Sequence, residues 1–162
     1  MPNWCQNNLR VEGDEATVKE FRGNALSTYK NEWMDNPKPE LYELSFHKIV
    51  PCPKKPKIGC REWQIENWGT KWDTKDAVVV REEYKDTGAY LEYNFDTAWS
   101  PPEGWVLKAS KKFPHLKFTA MFIEYGAGFR GHFIAQNGEI IEEHSEDIPE
   151  ELYSEDNENC YY

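Results

Sequence analysis

Residues Trp4 to Gly13 alternate regularly enough to fix the first element of any fold this chain adopts. Cys5, Leu9 and Val11 point one way, while Gln6, Asn8, Arg10 and Glu12 point the other. A strand of this kind has one face to bury and one to leave in water. Asp14 then offers a side-chain oxygen to the free amides of a helix start, and Val18, Phe21, Ala25 and Leu26 recur at helical spacing between Glu15 and Leu26. The same pairing returns downstream. Ala89 to Asp96 alternates, and after Pro101-Pro102 the stretch Glu103 to Phe113 sets Trp105, Val106, Ala109 and Phe113 on one helical face. Prolines fit a helix start because the first-turn amides have no helical acceptor to lose.

The remaining segments complete a pattern. Ala77–Tyr84 and Ala89–Asp96 read as a hairpin across Lys85-Asp86-Thr87-Gly88. Lys117–Tyr125 and Phe129–Gln136 follow as two more strands, with Gly126 and Gly128 at the bend, and Asn137-Gly138 turns into a last strand at Glu139–Glu142. The order is strand, helix, insertion, strand, strand, helix, strand, then an extra C-terminal hairpin. This is an α+β chain of the ferredoxin-like split β-α-β type: an antiparallel sheet with two helices on one face. The insertion, about residues 27–73, carries Pro37, Pro39, Pro51, Pro53 and Pro56, a density that predicts a wrapped loop rather than regular structure. Leu44–Val50 is apolar enough to pair as an extra strand.

A length of 162 residues suits one domain, expected over residues 1–143. The formal charge of -10 is not spread evenly. Ten acidic residues and no Lys or Arg fall between Glu139 and Tyr162, which leaves the body balanced at 19 acids and 19 bases. Residues 144–162 therefore read as an acidic, mobile tail, and truncation after Glu143 is expected to leave the melting midpoint nearly unchanged. Repulsion from that block also disfavours nucleic acid, despite the basic insertion residues Lys48, Lys54, Lys55, Lys57 and Arg61. No run approaches the roughly 20 apolar residues of a membrane span. Cys5, Cys52, Cys60 and Cys160 are scattered without a C-x-x-C pair, as expected of reduced thiols in a cytoplasm.

Two tryptophan-rich hexapeptides stand out, Trp68-Gly69-Thr70-Lys71-Trp72-Asp73 and Thr97-Ala98-Trp99-Ser100-Pro101-Pro102. Together with the opening Met1-Pro2-Asn3-Trp4-Cys5-Gln6-Asn7-Asn8-Leu9 and with Glu124-Tyr125-Gly126-Ala127-Gly128-Phe129, they resemble the Api92-like family, the YubB ferredoxin-like family of phages, plasmids and bacteria. The resemblance implies a ferredoxin-like fold and a mobile-element setting in the bacterial cytosol, with counter-defence as a role that suits it. It implies no settled activity.

Candidate sites follow from two places. The tryptophan motifs and a neighbouring cation give a possible ligand pocket of Trp68, Lys71, Trp72, Asp73, Thr97, Trp99 and Arg130. Their first expected role is to lock the insertion onto the sheet, in which case buried rings at Trp72 and Trp99 would each be worth roughly 3–5 kcal/mol. The uncovered sheet face should present Asn8, Arg10, Glu92, Asn94 and Asp96, a polar and partly acidic platform unlike the aromatic faces that stack RNA bases. With Asp73 and Glu124, these carboxylates are the material for a nucleotide-directed hydrolase or transferase. Nothing has metal-ligand spacing, and no nucleophile elbow, phosphate loop or dinucleotide fingerprint appears. The expectation is a non-catalytic binding protein without cofactor or metal, recognising a host protein or a small polar ligand. Carboxylate catalysis is the second reading, and nucleic-acid binding through the insertion is the third.

Overall fold

β1 (Trp4–Gly13) and α1 (Glu15–Ala25) come first, then a short hairpin of β2 (Ser27–Tyr29) and β3 (Glu40–Tyr42), the one-turn helix α2 (Phe46–Ile49) and α3 (Cys60–Trp68). β4 (Val78–Lys85), β5 (Gly88–Ala98), α4 (Glu103–Lys112), β6 (Lys117–Glu124), β7 (Phe129–Gln136) and β8 (Glu139–Asp147) complete the order, with a 3-10 turn over Glu150–Tyr153. The structure, a computed structural model, describes residues 2–29, 38–74 and 76–153.

Six strands form one antiparallel sheet in the order β4-β5-β1-β6-β7-β8. The central position of β1 between β5 and β6 is that of the ferredoxin-like core, which β7 and β8 extend on one side. The pleat does the sorting. Cys5, Leu9 and Val11 of β1, with Leu91, Tyr93 and Phe95 of β5, are buried on the helix-covered face. Asp14 caps α1 by accepting from the Thr17 amide at 2.9 Å, which sends Val18, Phe21 and Ala25 inward. Phe21 sits in the middle of the aromatic core, edge-on to Phe113 and Phe118 at 5.4 Å and to Tyr93 and Trp105 at 6.5 Å.

The insertion is more regular than its prolines predict. Leu44–Val50 makes no strand; it holds the single turn α2, because Ser45 and the carboxylate of Asp73 satisfy its first amides. The proline-free stretch between Gly59 and Gly69 winds into α3, whose end is set by Gly69 at φ 82°, a left-handed position that glycine takes without strain. Gly104 lets α4 approach α3 closely, since a Cβ there would meet the Asn67 carbonyl oxygen at 2.9 Å. Two buried indoles tie the insertion down: Trp68 Nε1 donates to the Val50 carbonyl at 3.0 Å and Trp105 Nε1 to the Phe46 carbonyl at 3.1 Å. Cys5, Cys52 and Cys60 are free, and burial pushes the Cys5 thiol up to about 12, with the Glu124 charge adding to it. Cys160 lies outside the described residues.

The expected boundary at 143 falls inside a strand. β8 runs on to Asp147, where Phe129 pairs with Asp147 and Arg130 with Glu146, and then Ile148 is buried with its amide donating to the Gly128 carbonyl at 2.8 Å. Acidic residues are tolerated there because, among the described residues, β8 has a strand on one side only and its side chains reach water. Whether the tail is mobile concerns residues 154–162, which lie outside the described residues. Truncation after Glu143 therefore removes a docked strand end and an isoleucine whose full burial is worth about 1.5–3 kcal/mol. The melting midpoint of the truncated chain should fall by several degrees in a thermal scan. An unchanged midpoint would show that this strand end contributes nothing.

Candidate functional site

The register that pairs Trp4 with Ala98 brings the start of β1 against the end of β5, and Trp72, Asp73 and Asp76, which follow α3, meet that corner. The result is a cleft of about 640 Å³ walled by Trp4, Trp72, Asp73, Asp76, Asp96 and Thr97, with Gln64 of α3 and Ala98 completing it. Its size is that of a small-molecule site. The Trp4 and Trp72 rings lie 6.1 Å apart, tilted by 44°, and remain 48% and 41% exposed. These indoles face solvent across a polar floor.

The carboxylates of the cleft divide into two kinds. Asp73 is consumed by structure: it accepts from the Phe46, His47 and Thr74 amides at 2.6, 3.0 and 2.8 Å and from Ser45 Oγ at 2.9 Å. Burial still holds its carboxyl above the usual value, although those four bonds pull the other way. Asp76 and Asp96, by contrast, have no hydrogen-bond or ion-pair partner among the described residues. Asp96 titrates above its ordinary 3.8, first through desolvation and then through the neighbouring Asp76 charge. Thr97 is occupied as well, donating to the Ser100 carbonyl at 2.6 Å and accepting from Asn7 Nδ2 at 2.9 Å.

Next to the cleft, Lys71 is 8% exposed, and its Nζ lies 4.1 Å from the centre of the Trp72 ring and 4.0 Å from that of Trp99. Trp99 is 55% exposed and holds φ at 73°, a left-handed conformation that costs a bulky residue on the order of 1–3 kcal/mol. The surrounding loop keeps it there: the Trp99 amide donates to the Asn3 carbonyl at 2.9 Å, Thr70 Oγ1 to the Ala98 carbonyl at 3.1 Å and Ser100 Oγ to the Gly69 carbonyl at 2.6 Å.

The residues expected to line one pocket thus scatter. Trp72, Asp73 and Thr97 line the cleft, whereas Lys71 and Trp99 sit beside it. Trp68 is a core residue, 1% exposed. Arg130 is far across the sheet, because β6 and β7 follow β1 on the side away from β5; it binds Glu146 at 2.6 Å. Trp4, Gln64 and Asp76 belong to the site and were not anticipated, and of these only Trp4 stood in a segment that drew notice.

The uncovered sheet face carries the anticipated set in register, Arg10 opposite Glu92, Asn8 opposite Asn94 and Gln6 opposite Asp96. Asn8 Nδ2 donates to Glu92 at 2.6 Å and to Asn94 Oδ1 at 2.8 Å, and Glu92 also accepts from the Tyr90 hydroxyl at 3.0 Å with Arg10 at 3.8 Å. Glu124 lies on the opposite, buried face, where its oxygens accept from the Gly126 and Ala127 amides at 2.6 Å each. Glu92, Asp96, Asp73 and Glu124 therefore do not converge on one point. Among the described residues no cluster of three or more His, Cys, Asp or Glu side chains has metal-site geometry.

Comparison with known proteins gives the following. A family model described as a ferredoxin-like domain in Api92-like protein matches residues 67–162. The crystal structure of a protein api92 from Yersinia pseudotuberculosis superposes with a TM-score of 0.65 at 8% sequence identity, covering 92% of this chain and 99% of that one. At that identity the likeness is one of fold. No curated protein matches the chain. Among the described residues no helix is long and apolar enough to cross a membrane.

Proposed function

The chain belongs to the Api92-like family, and from that premise we propose that it is a non-catalytic binding protein of phage or plasmid origin whose cleft receives a cationic group. The ammonium or guanidinium is carried by a small polar ligand or by a side chain of a host protein in the bacterial cytosol, and interference with host defence is the role this setting suits. The observation that carries the reading is the pair of unpartnered carboxylates, Asp76 and Asp96, beside the half-exposed rings of Trp4 and Trp72. A cation entering there gains charge pairing and the faces of two indoles at once. Binding rather than catalysis is supported by the state of the other carboxylates, since Asp73, Glu92 and Glu124 already hold hydrogen bonds that fix the fold.

Agmatine, which carries a guanidinium and an amine, is a suitable probe, with tryptophan fluorescence and calorimetry as readouts. Asp76→Asn and Asp96→Asn should each weaken binding by roughly 5- to 30-fold, about 1–2 kcal/mol for a partly exposed charge-assisted contact. The sign of the pH effect follows from Asp96. A cation favours the ionised carboxylate, so affinity is present above the raised pKa of Asp96 and falls as the pH drops through it. Affinity that is flat from pH 7 to pH 4, or as tight in both asparagine variants as in the parent, would refute a cation site. Metal-dependent turnover of a nucleotide that is lost in Asp96→Asn would favour the carboxylate enzyme instead.

A further inference from the structure

Resting on the cleft reading above, we propose that Lys71 is the anion-binding half of the same site, so that the ligand is a small dipolar molecule with a cationic head and a carboxylate or phosphate group, of the basic amino-acid class. Lys71 is more than nine-tenths buried, yet among the described residues its ammonium touches no carboxylate, carbonyl or hydroxyl oxygen. The ammonium lies over two aromatic faces, and its three N–H donors have no acceptor among the described residues. Ring faces offset part of the lost hydration of an ammonium, but they accept no ordinary hydrogen bond. At this corner Thr70, Thr97 and Ser100 all donate to backbone carbonyls.

The arrangement is directional. Trp72 forms a wall of the cleft on one account and carries the Lys71 ammonium 4.1 Å from its ring centre on the other. Positive charge thus lies against Trp72, and the carboxylates of Asp76 and Asp96 lie in the cleft that the same residue walls. Trp72 and Trp99 hold the Lys71 ammonium between them, and Trp99 does so with a left-handed backbone. A ligand bearing both charges meets each with its opposite, whereas a simple cation uses only half of the site and a simple anion is repelled by the aspartates.

L-Arginine and agmatine differ by the carboxylate alone, and calorimetry on the full chain separates the two halves of the site. Arginine should bind at least tenfold more tightly than agmatine. Lys71→Met should bring arginine down to the agmatine level while leaving agmatine within about twofold, and Lys71→Arg should recover most of the preference. Equal affinity of the parent chain for the two probes overturns the assignment, as does a Lys71→Met variant that loses both equally, which would make the lysine only a spacer for the rings. The parent comparison decides the matter even if Lys71→Met fails to fold. If agmatine binds and arginine gains nothing, the cation cleft stands and the anion half falls; if neither probe binds, both fall together.

Discussion

Trp68→Ala should lower the unfolding free energy by about 3–5 kcal/mol in a urea titration, because it removes a fully buried indole and leaves a large cavity. Trp72→Ala and Trp99→Ala, replacing rings that are about half exposed, should cost about 1 kcal/mol or less each, mostly through the lost contact with Lys71. The three residues come from the same two motifs, all expected to lock the insertion onto the sheet, but only Trp68 buries its ring. The packing around Trp68 explains the difference: its ring meets Phe46 at 5.8 Å and Trp63 at 5.9 Å, and its nitrogen donates to the Val50 carbonyl. Comparable losses at Trp72 and Trp68 would contradict the exposure of the cleft wall.

Asp73→Ala is the second large effect, expected at about 3 kcal/mol. The buried Phe46 amide and the Ser45 hydroxyl would both lose their acceptor, and unsatisfied groups of this sort cost about 1–3 kcal/mol each. Asp73→Asn, which keeps an acceptor oxygen, should recover a good part of that. The measurement also separates roles within the cleft. Asp96→Asn should leave the unfolding midpoint close to the parent's and change only binding, whereas an Asp73 variant that folds normally and loses only ligand affinity would return Asp73 to the ligand set.

The core of the fold was legible because it is written locally. Alternation in β1 and β5, the Asp14 cap and the Asn137-Gly138 turn, where both residues take positive φ, each depend on neighbours within a few positions. The insertion was harder to read. α3 buries little besides Trp68, so it carries no apolar stripe, and its signal is confined to the glycines that bound it. α2 exists through a carboxylate 27 residues away, which no local pattern records. The cleft failed to read for the same reason. Its walls come from residues 4 and 64, from residues 72, 73 and 76 and from residues 96–98, and the pairing of Trp4 with Ala98 helps to make them neighbours. Arg130 was misplaced by the reverse error: a motif of the right chemistry lay on the wrong flank of β1.

An open sheet has ends at which it can grow, and among the described residues β8 is one of them. Its outer rim carries Glu139, Glu142, Glu143, Glu146 and Asp147, with His144 and no lysine or arginine. A second molecule laying its own β8 alongside would bring five carboxylates against five, and that repulsion outweighs the backbone hydrogen bonds on offer at neutral pH and modest salt. Five carboxylates of this protein therefore guard a seam, keeping neighbouring copies from stitching their sheets together at this edge.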